Sequence, residues 1–179
     1  VQALRKYIML LGVASGVIGL DQWTKYLVRS QLEYGQVWTP FARLPFLRIV
    51  HWSNTGSAFG FFQSGGLVIT VVAVVVSVAI LFYFPRVPRR QLPLRIALSL
   101  QMGGAIGNLI DRLALGTVTD FVAVGGFPVF NVADSSITVG VAILLIALLF
   151  EDRAVDRDQA EPAAMGNPDR QQEAEHDLG

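Results

Sequence analysis

Cysteine is absent from this 179-residue chain, which removes thiol nucleophiles, thiolate metal ligands and disulfides together. Histidine is nearly absent too. With only His51 and His176, and no HExxH motif, neither a three-ligand zinc site nor a histidine-based triad has the material it needs. Negative charge is scarce over residues 1–150, where Asp21, Glu33, Asp111, Asp120 and Asp134 are the only acids. The other nine of the fourteen acids fall in the last 29 residues with three of the fourteen bases. That tail carries −6 and the body +6, so the formal net charge of zero is a cancellation. Chemistry in the body is left to Asp, Asn, Lys, Arg and Ser, and no cofactor or metal is expected.

What the chain has in abundance is apolar surface: 53% apolar against 16% charged residues, with a mean hydropathy of +0.49. Such a composition points to a membrane. Stretches of roughly 20 mainly apolar residues can cross a hydrocarbon core about 30 Å thick, and four occur: Tyr7–Val28, Gly66–Phe84, Leu94–Leu113 and Val129–Phe150. Arg5 and Lys6 precede the first, Arg86, Arg89, Arg90 and Arg95 surround the turn between the second and third, and Arg153 and Arg157 follow the fourth. The positive-inside bias puts these three regions in the cytoplasm and both termini with them. The first span also has a signal-peptide look, with Val13-Ala14-Ser15 as a small-residue site. Apolar character resumes beyond Asp21, however, and four retained spans suit the charge bias, so it is read as retained.

The expected fold is therefore an all-α membrane protein of four transmembrane helices, residues 1–150, with a small β-rich segment on the outer side. Residues 151–179 read as an acidic, disordered cytoplasmic tail, since they carry two prolines and no apolar period. The outer connection, 29–65, interleaves Trp38, Phe41, Phe46, Trp52, Phe59, Phe61 and Phe62 with Arg43, Arg48 and His51, and FLRIVHW alternates like a short strand. Two readings suit it: an interfacial anchor, or a cradle that lays a substrate along the membrane surface.

Depth follows from the helix rise of 1.5 Å per residue. Measured from the cytoplasmic edge, Asp21, Asp111 and Asp134 lie about 22, 24 and 26 Å along their spans. Three carboxylates on three spans thus reach one level near the outer face, and Asp120, in the connection between two of those spans, can fold back to join them. Each ionisable group near mid-membrane costs roughly 2.5–3.5 kcal/mol, and less toward the interface. Ion pairing with Lys25 or Arg112 is one explanation for Asp21 and Asp111. It serves Asp120 and Asp134 poorly, because four acids compete for two nearby bases.

Two carboxylates sharing a partly desolvated site hold one proton between them. The ionised member can then take a proton from water while the protonated member hydrogen-bonds a scissile carbonyl. A serine nucleophile with Lys25 as base is a poorer alternative, since Ser53, Ser57, Ser135 and Ser136 all lack a nucleophile-elbow context. A small proton- or ion-coupled transporter is the alternative from another class. It would stagger acids across the membrane rather than gather them at one level. An assembly factor that binds other helices would need no clustered Asp at all.

The motifs DQWTK (21–25), NTGSAFG (54–60), GGAIGNLIDR (103–112), VTDF (118–121) and FNVADS (130–135), in this order within four spans, closely resemble lipoprotein signal peptidase, or signal peptidase II. The resemblance covers about residues 5 to 150. It implies an aspartyl endopeptidase of the bacterial inner membrane that removes the signal peptide from prolipoproteins, cutting before the diacylglyceryl-modified cysteine of the lipobox. Carried over by position, the catalytic pair falls on Asp120 and Asp134. The supporting residues fall on Asp21, Lys25, Asn54, Gly56, Asn108, Asp111, Arg112 and Asn131. Asn108 and Asn131 also suit plain interhelical hydrogen bonding, and Arg112 also suits neutralising Asp111. The resemblance further implies lipid-modified prolipoproteins and membrane lipid as partners, no nucleic acid, and a monomer. Ser57, where the family often has Ala, and the compact GGFP return before Asn131 are departures that leave the proposed pair untouched.

Overall fold

The computed structural model describes residues 2–40, 43–56 and 65–164. The chain is helix-rich. In order come helix α1 (Gln2–Gln31), strands β1 (Val37–Trp38) and β2 (Leu47–Asn54), helix α2 (Gly65–Tyr83), a 3-10 turn (Phe84–Arg86), helix α3 (Leu92–Leu115), strand β3 (Val118–Val124) and helix α4 (Val132–Ala164). Val1–Leu144 form one compact unit and Leu145–Gly179 a second, which is helical as far as Ala164. Among the described residues two helical segments are long and apolar enough to cross a membrane by length and composition, Gly66–Arg86 and Val132–Leu149.

Helix α2 is built mainly from Val, Ile and Ala, with Leu67, Val68, Val72, Val75 and Phe82 exposed. β-branched residues are mediocre helix formers in water, but hydrocarbon leaves a lone backbone segment no way to satisfy its N–H and C=O groups other than helix. Pro85 and Pro88 end the run. Pro93 opens α3, and Gly116, at φ 77°, closes it with its N–H donated to the Arg112 carbonyl at 3.1 Å.

Helices α1 and α3 are parallel neighbours. At their starts Arg95 donates to the Lys6 carbonyl at 3.0 Å and the Val87 carbonyl at 2.9 Å, with its guanidinium 4.1 Å from the Phe84 ring centroid. Leu10, Ile80, Phe84, Val87 and Leu98 form the apolar core at this end. Farther along, the two helices touch backbone to side chain: a Cβ added at Gly103 would meet Val17 Cβ at 2.7 Å, and one at Gly107 would meet Asp21 Oδ2 at 2.8 Å. Glycine here is what lets α3 approach α1 closely enough for their polar groups to meet.

The three strands form an antiparallel sheet in the order β1-β2-β3, with Trp52 opposite Asp120 and Asn54 opposite Val118. On its other side β3 is bridged by Phe130, through Val122. The chain therefore runs from β3 out through the Gly125-Gly126 turn and straight back past it into α4. Two boundaries differ from expectation. The fourth helix starts at Val132 rather than Val129, because Phe130 is engaged with β3 and Asn131 caps the helix. It then runs beyond Phe150 to Ala164, where Ala, Glu, Arg and Gln supply local helix propensity that a search for apolar periodicity passes over. The rest of the tail, with Phe41, Ser57, Phe59, Phe61 and Phe62, lies outside the described residues.

Candidate active site

Asp21, Lys25, Asn108, Asp111, Asp120 and Asn131 are all buried, and they meet where α1, α3, β3 and the start of α4 converge. The first half of the cluster is an ion-pair knot. Lys25 Nζ lies 2.8 Å from Asp21 Oδ2, four residues earlier on the same helix, and 3.3 Å from Asp111 Oδ2. It also donates to Asn108 Oδ1 at 3.0 Å. Asp21 Oδ1 accepts the Ala133 N–H at 3.0 Å, and Asp111 Oδ2 accepts the Thr119 N–H at 2.9 Å. Each carboxylate thus tethers a different returning segment. Arg29 adds a more distant charge, 3.8 Å from Asp111 Oδ1, while donating to Thr119 Oγ1 at 3.0 Å.

Asp120 and Asp134 differ from those two: among the described residues neither is in an ion pair. Asparagine amides hold them instead. Asp120 accepts Asn131 Nδ2 at 2.7 Å and Asn54 Nδ2 at 2.9 Å. Asp134 accepts Asn108 Nδ2 at 2.7 Å and the Asn131 N–H at 3.2 Å. Asn131 therefore bonds to both carboxylates. Burial, with the charge of Asp134 adding to it, pushes the Asp120 carboxyl up to about 6, against the hydrogen bonds from Asn54 and Asn131 and the charge of Lys25, which act the other way.

A cavity of about 260 Å³ opens beside this second half, and Asn108, Arg112 and Asp134 line it together with apolar side chains of α2. A larger groove of about 410 Å³, against Leu27, Trp38 and Ile49, has no ionisable side chain in its lining. Among the described residues no three of His, Asp and Glu converge as a metal-ligand set.

The signal peptidase II family profile matches residues 13–150. The lipoprotein signal peptidase of Acinetobacter baumannii is 40% identical over 151 residues, spanning 80% of this chain and 84% of that protein. That of Enterococcus faecalis is 35% identical over 144 residues, 79% of this chain and 88% of the relative. The chain belongs to the signal peptidase II family. A bacterial membrane enzyme solved by the in meso method at 2.3 Å superimposes with a TM-score of 0.72 at 33% identity, over 80% of this chain and 88% of the other. The present family member is accordingly a peptidase and a bacterial membrane protein.

All ten residues singled out in this signal peptidase II sequence fall in or beside the cluster. Gly56, at φ 76°, donates its N–H to Asn54 Oδ1 at 2.8 Å and so helps hold the amide that reaches Asp120. Arg112 does not form an ion pair with Asp111. Adjacent residues on a helix do not share a face, and Asp111 meets α1 while Arg112 lines the cavity. Four contributors escaped the sequence reading, and the first corrects its count of two nearby bases: Arg29, one turn beyond Lys25 on α1, is a third. Gln22 Nε2 bridges Asp21 Oδ2 at 3.1 Å, Asp111 Oδ1 at 3.1 Å and the Gly107 carbonyl at 3.0 Å. Thr119 and Ala133 act through backbone N–H groups, which leave no trace in residue type. For Gln22 a signal did exist: an amide within an apolar span needs a partner.

Proposed function

We propose that Asp120 and Asp134 are the catalytic dyad with which this signal peptidase II family member removes signal peptides from diacylglyceryl-modified prolipoproteins. One observation carries the assignment. Of the four acids in the cluster, Asp21 and Asp111 are each within ion-pair distance of Lys25, whereas Asp120 and Asp134 have only amide donors, share Asn131 as one of them, and have Asp134 on the wall of a cavity. Carboxylates already bound to a cation are poor bases. Two carboxylates without one, in a desolvated place, keep a proton between them.

In this reading a water held between the two carboxyls attacks the scissile carbonyl. The ionised member takes the water's proton, and the protonated member hydrogen-bonds the carbonyl oxygen and stabilises the charge that builds there. Collapse of the tetrahedral intermediate returns a proton to the leaving amine. Asn131, bonded to both carboxyls, fixes their separation, and Asn54 and Asn108 each orient one of them. Asp21, Lys25 and Asp111 are the scaffold.

The same proposal has all four helices crossing the inner membrane, both termini in the cytoplasm, and a monomer that meets the lipobox cysteine and its lipid at the outer face. Its support is the polarity of the bundle, with Lys6, Arg86 and Arg95 at one end and the acid cluster at the other. The β2–β3 sheet, with Trp52 exposed beside Asp120, suits a cradle for the cleavage segment. Purified protein mixed with a diacylglyceryl-modified prolipoprotein should release the signal peptide, and the unmodified precursor should remain intact. Cleavage that persists in either Asp120→Asn or Asp134→Asn would remove the dyad.

A further inference from the structure

The cavity beside Asp134 and Arg112 continues between α2, α3 and α4, past Val72 and Val76, to Gln101. Two buried N–H donors on its lining have no hydrogen-bond partner: Nε of Arg112 and Nε2 of Gln101. Buried donors are rarely left unpaired in folded proteins, so each one asks for an acceptor. Arg112 stands beside the proposed dyad. Gln101 does not, and nothing in the reaction as described so far uses it. Its stem is held against α4, where a Cβ on Gly140 would meet Gln101 Cγ at 2.9 Å, and the residue is part of the cavity wall, so a small rotation of its terminal amide would present the unpaired donor to the cavity.

Seven residues of α3, about 10 Å of helix, separate Gln101 from Asn108, the partner of Asp134. An extended peptide covers that distance in about three residues. A signal segment crossing the membrane as a helix keeps its carbonyls bonded internally, but cleavage requires the residues near the scissile bond to leave the helix. Each carbonyl freed in a water-poor cavity then needs a donor. The direction agrees, since Gln101 lies on the Arg95 side of Asn108 along α3, the side from which a signal segment would rise to the dyad.

We propose that Gln101 is a positioning residue for substrate, its side-chain amide donating to the backbone carbonyl about three residues before the scissile bond and so holding that stretch of the signal segment unwound along the cavity. This rests on the dyad reading given above.

Gln101→Met keeps the length and approximate volume of the side chain and removes the donor. Full-length enzyme in lipid micelles is assayed on two diacylglyceryl-modified peptide substrates. One is all-amide; the other has an ester in place of the amide whose carbonyl lies three residues before the cut, which weakens that acceptor. Gln101→Met should raise KM for the all-amide substrate about fivefold, the scale of one hydrogen bond, with kcat within about twofold and the thermal midpoint not lowered. The ester should raise KM for wild type by a similar factor and should add nothing in the variant, because the two changes remove one interaction. Equal KM for the two enzymes, or an equal ester penalty in both, overturns the role of Gln101 and leaves the dyad intact. An active Asp120→Asn enzyme overturns the dyad and this inference with it.

Discussion

Asn131 and Asp134 cap the same helix end reciprocally: Asn131 Oδ1 accepts the Asp134 N–H at 2.9 Å, and Asp134 Oδ2 accepts the Asn131 N–H at 3.2 Å. This is a capping box made from an amide and a carboxylate. A proposed catalytic side chain is thus held by the start of its own helix, and the other Asn131 amide atom reaches Asp120.

Asn131→Ala should cost about 1 kcal/mol of stability through the lost cap, and more in turnover. Loss of the bond that favours ionised Asp120 should also move the acidic limb of the kcat/KM profile to higher pH. A pH–rate series on the variant checks this, and an unmoved limb would detach Asn131 from the dyad.

Asp120→Asn and Asp134→Asn should each abolish nearly all cleavage, and the double variant should lose little more, since groups that act as a unit are strongly non-additive. Turnover per folded molecule in detergent is the readout. Retention of a tenth or more of normal turnover by either, with none in Asp111→Asn, would move the catalytic site to Asp111.

Asp120 also links stability to pH. Its carboxyl stands at about 6 in the fold against an ordinary value of 3.8, so the folded state holds this proton more tightly than the unfolded chain does. That stabilisation is fully present below about 4 and is lost as pH rises through about 6. Asp120→Asn, which never ionises, should therefore be more stable than wild type at pH 8, by about 3 kcal/mol at most, and gain nothing near pH 4. Unfolding midpoints at the two pH values decide it; an equal gain at both would assign the effect to packing.

Lys25→Met leaves Asp21 and Asp111 buried without their shared cation, a loss of about 3–5 kcal/mol for a broken buried pair. The expected result is low folded yield. Arg29 is too distant, at 3.8 Å from Asp111, to take over both acids. Normal yield with no activity would instead place Lys25 in the chemistry.

Single cysteines at Gln36 and Gln91, in a chain with none of its own, should label oppositely with a membrane-impermeant reagent in intact cells. Gln36 should be the accessible site. The reverse pattern would invert the bundle and the depth of every acid in it.

Much of this site could be read from residue type and spacing, because acids in an apolar chain are costly and so informative. Asp21, Asp111 and Asp134 could be placed at one level by counting helix residues, and competition for Lys25 and Arg112 set Asp120 and Asp134 apart from Asp21 and Asp111. The pairing of Trp52 with Asp120 could not be read this way, since strand register between segments so far apart depends on how α1 and α3 deliver β2 and β3 to each other. Nor could the role of Ala133, whose backbone N–H bonds Asp21. Asn131 and Asp134 stand at capping-box spacing in the sequence, but apolar content alone begins the fourth helix at Val129, three residues before its observed start at Val132.

The bridge between Asp21 and Lys25 lies within one helix, which bears on how the protein is made. During synthesis α1 leaves the ribosome well before α3, and its buried acid cannot wait for Asp111 or Asn108 to arrive. In the proposed four-span arrangement Lys25, one turn away, lets α1 carry its own counter-charge into the bilayer as a neutral pair. Asp134 has no such companion within its span. In the proposed arrangement helix α4 therefore depends on a finished polar socket, with Asn108 already in place, and its insertion is the step that completes the proposed dyad.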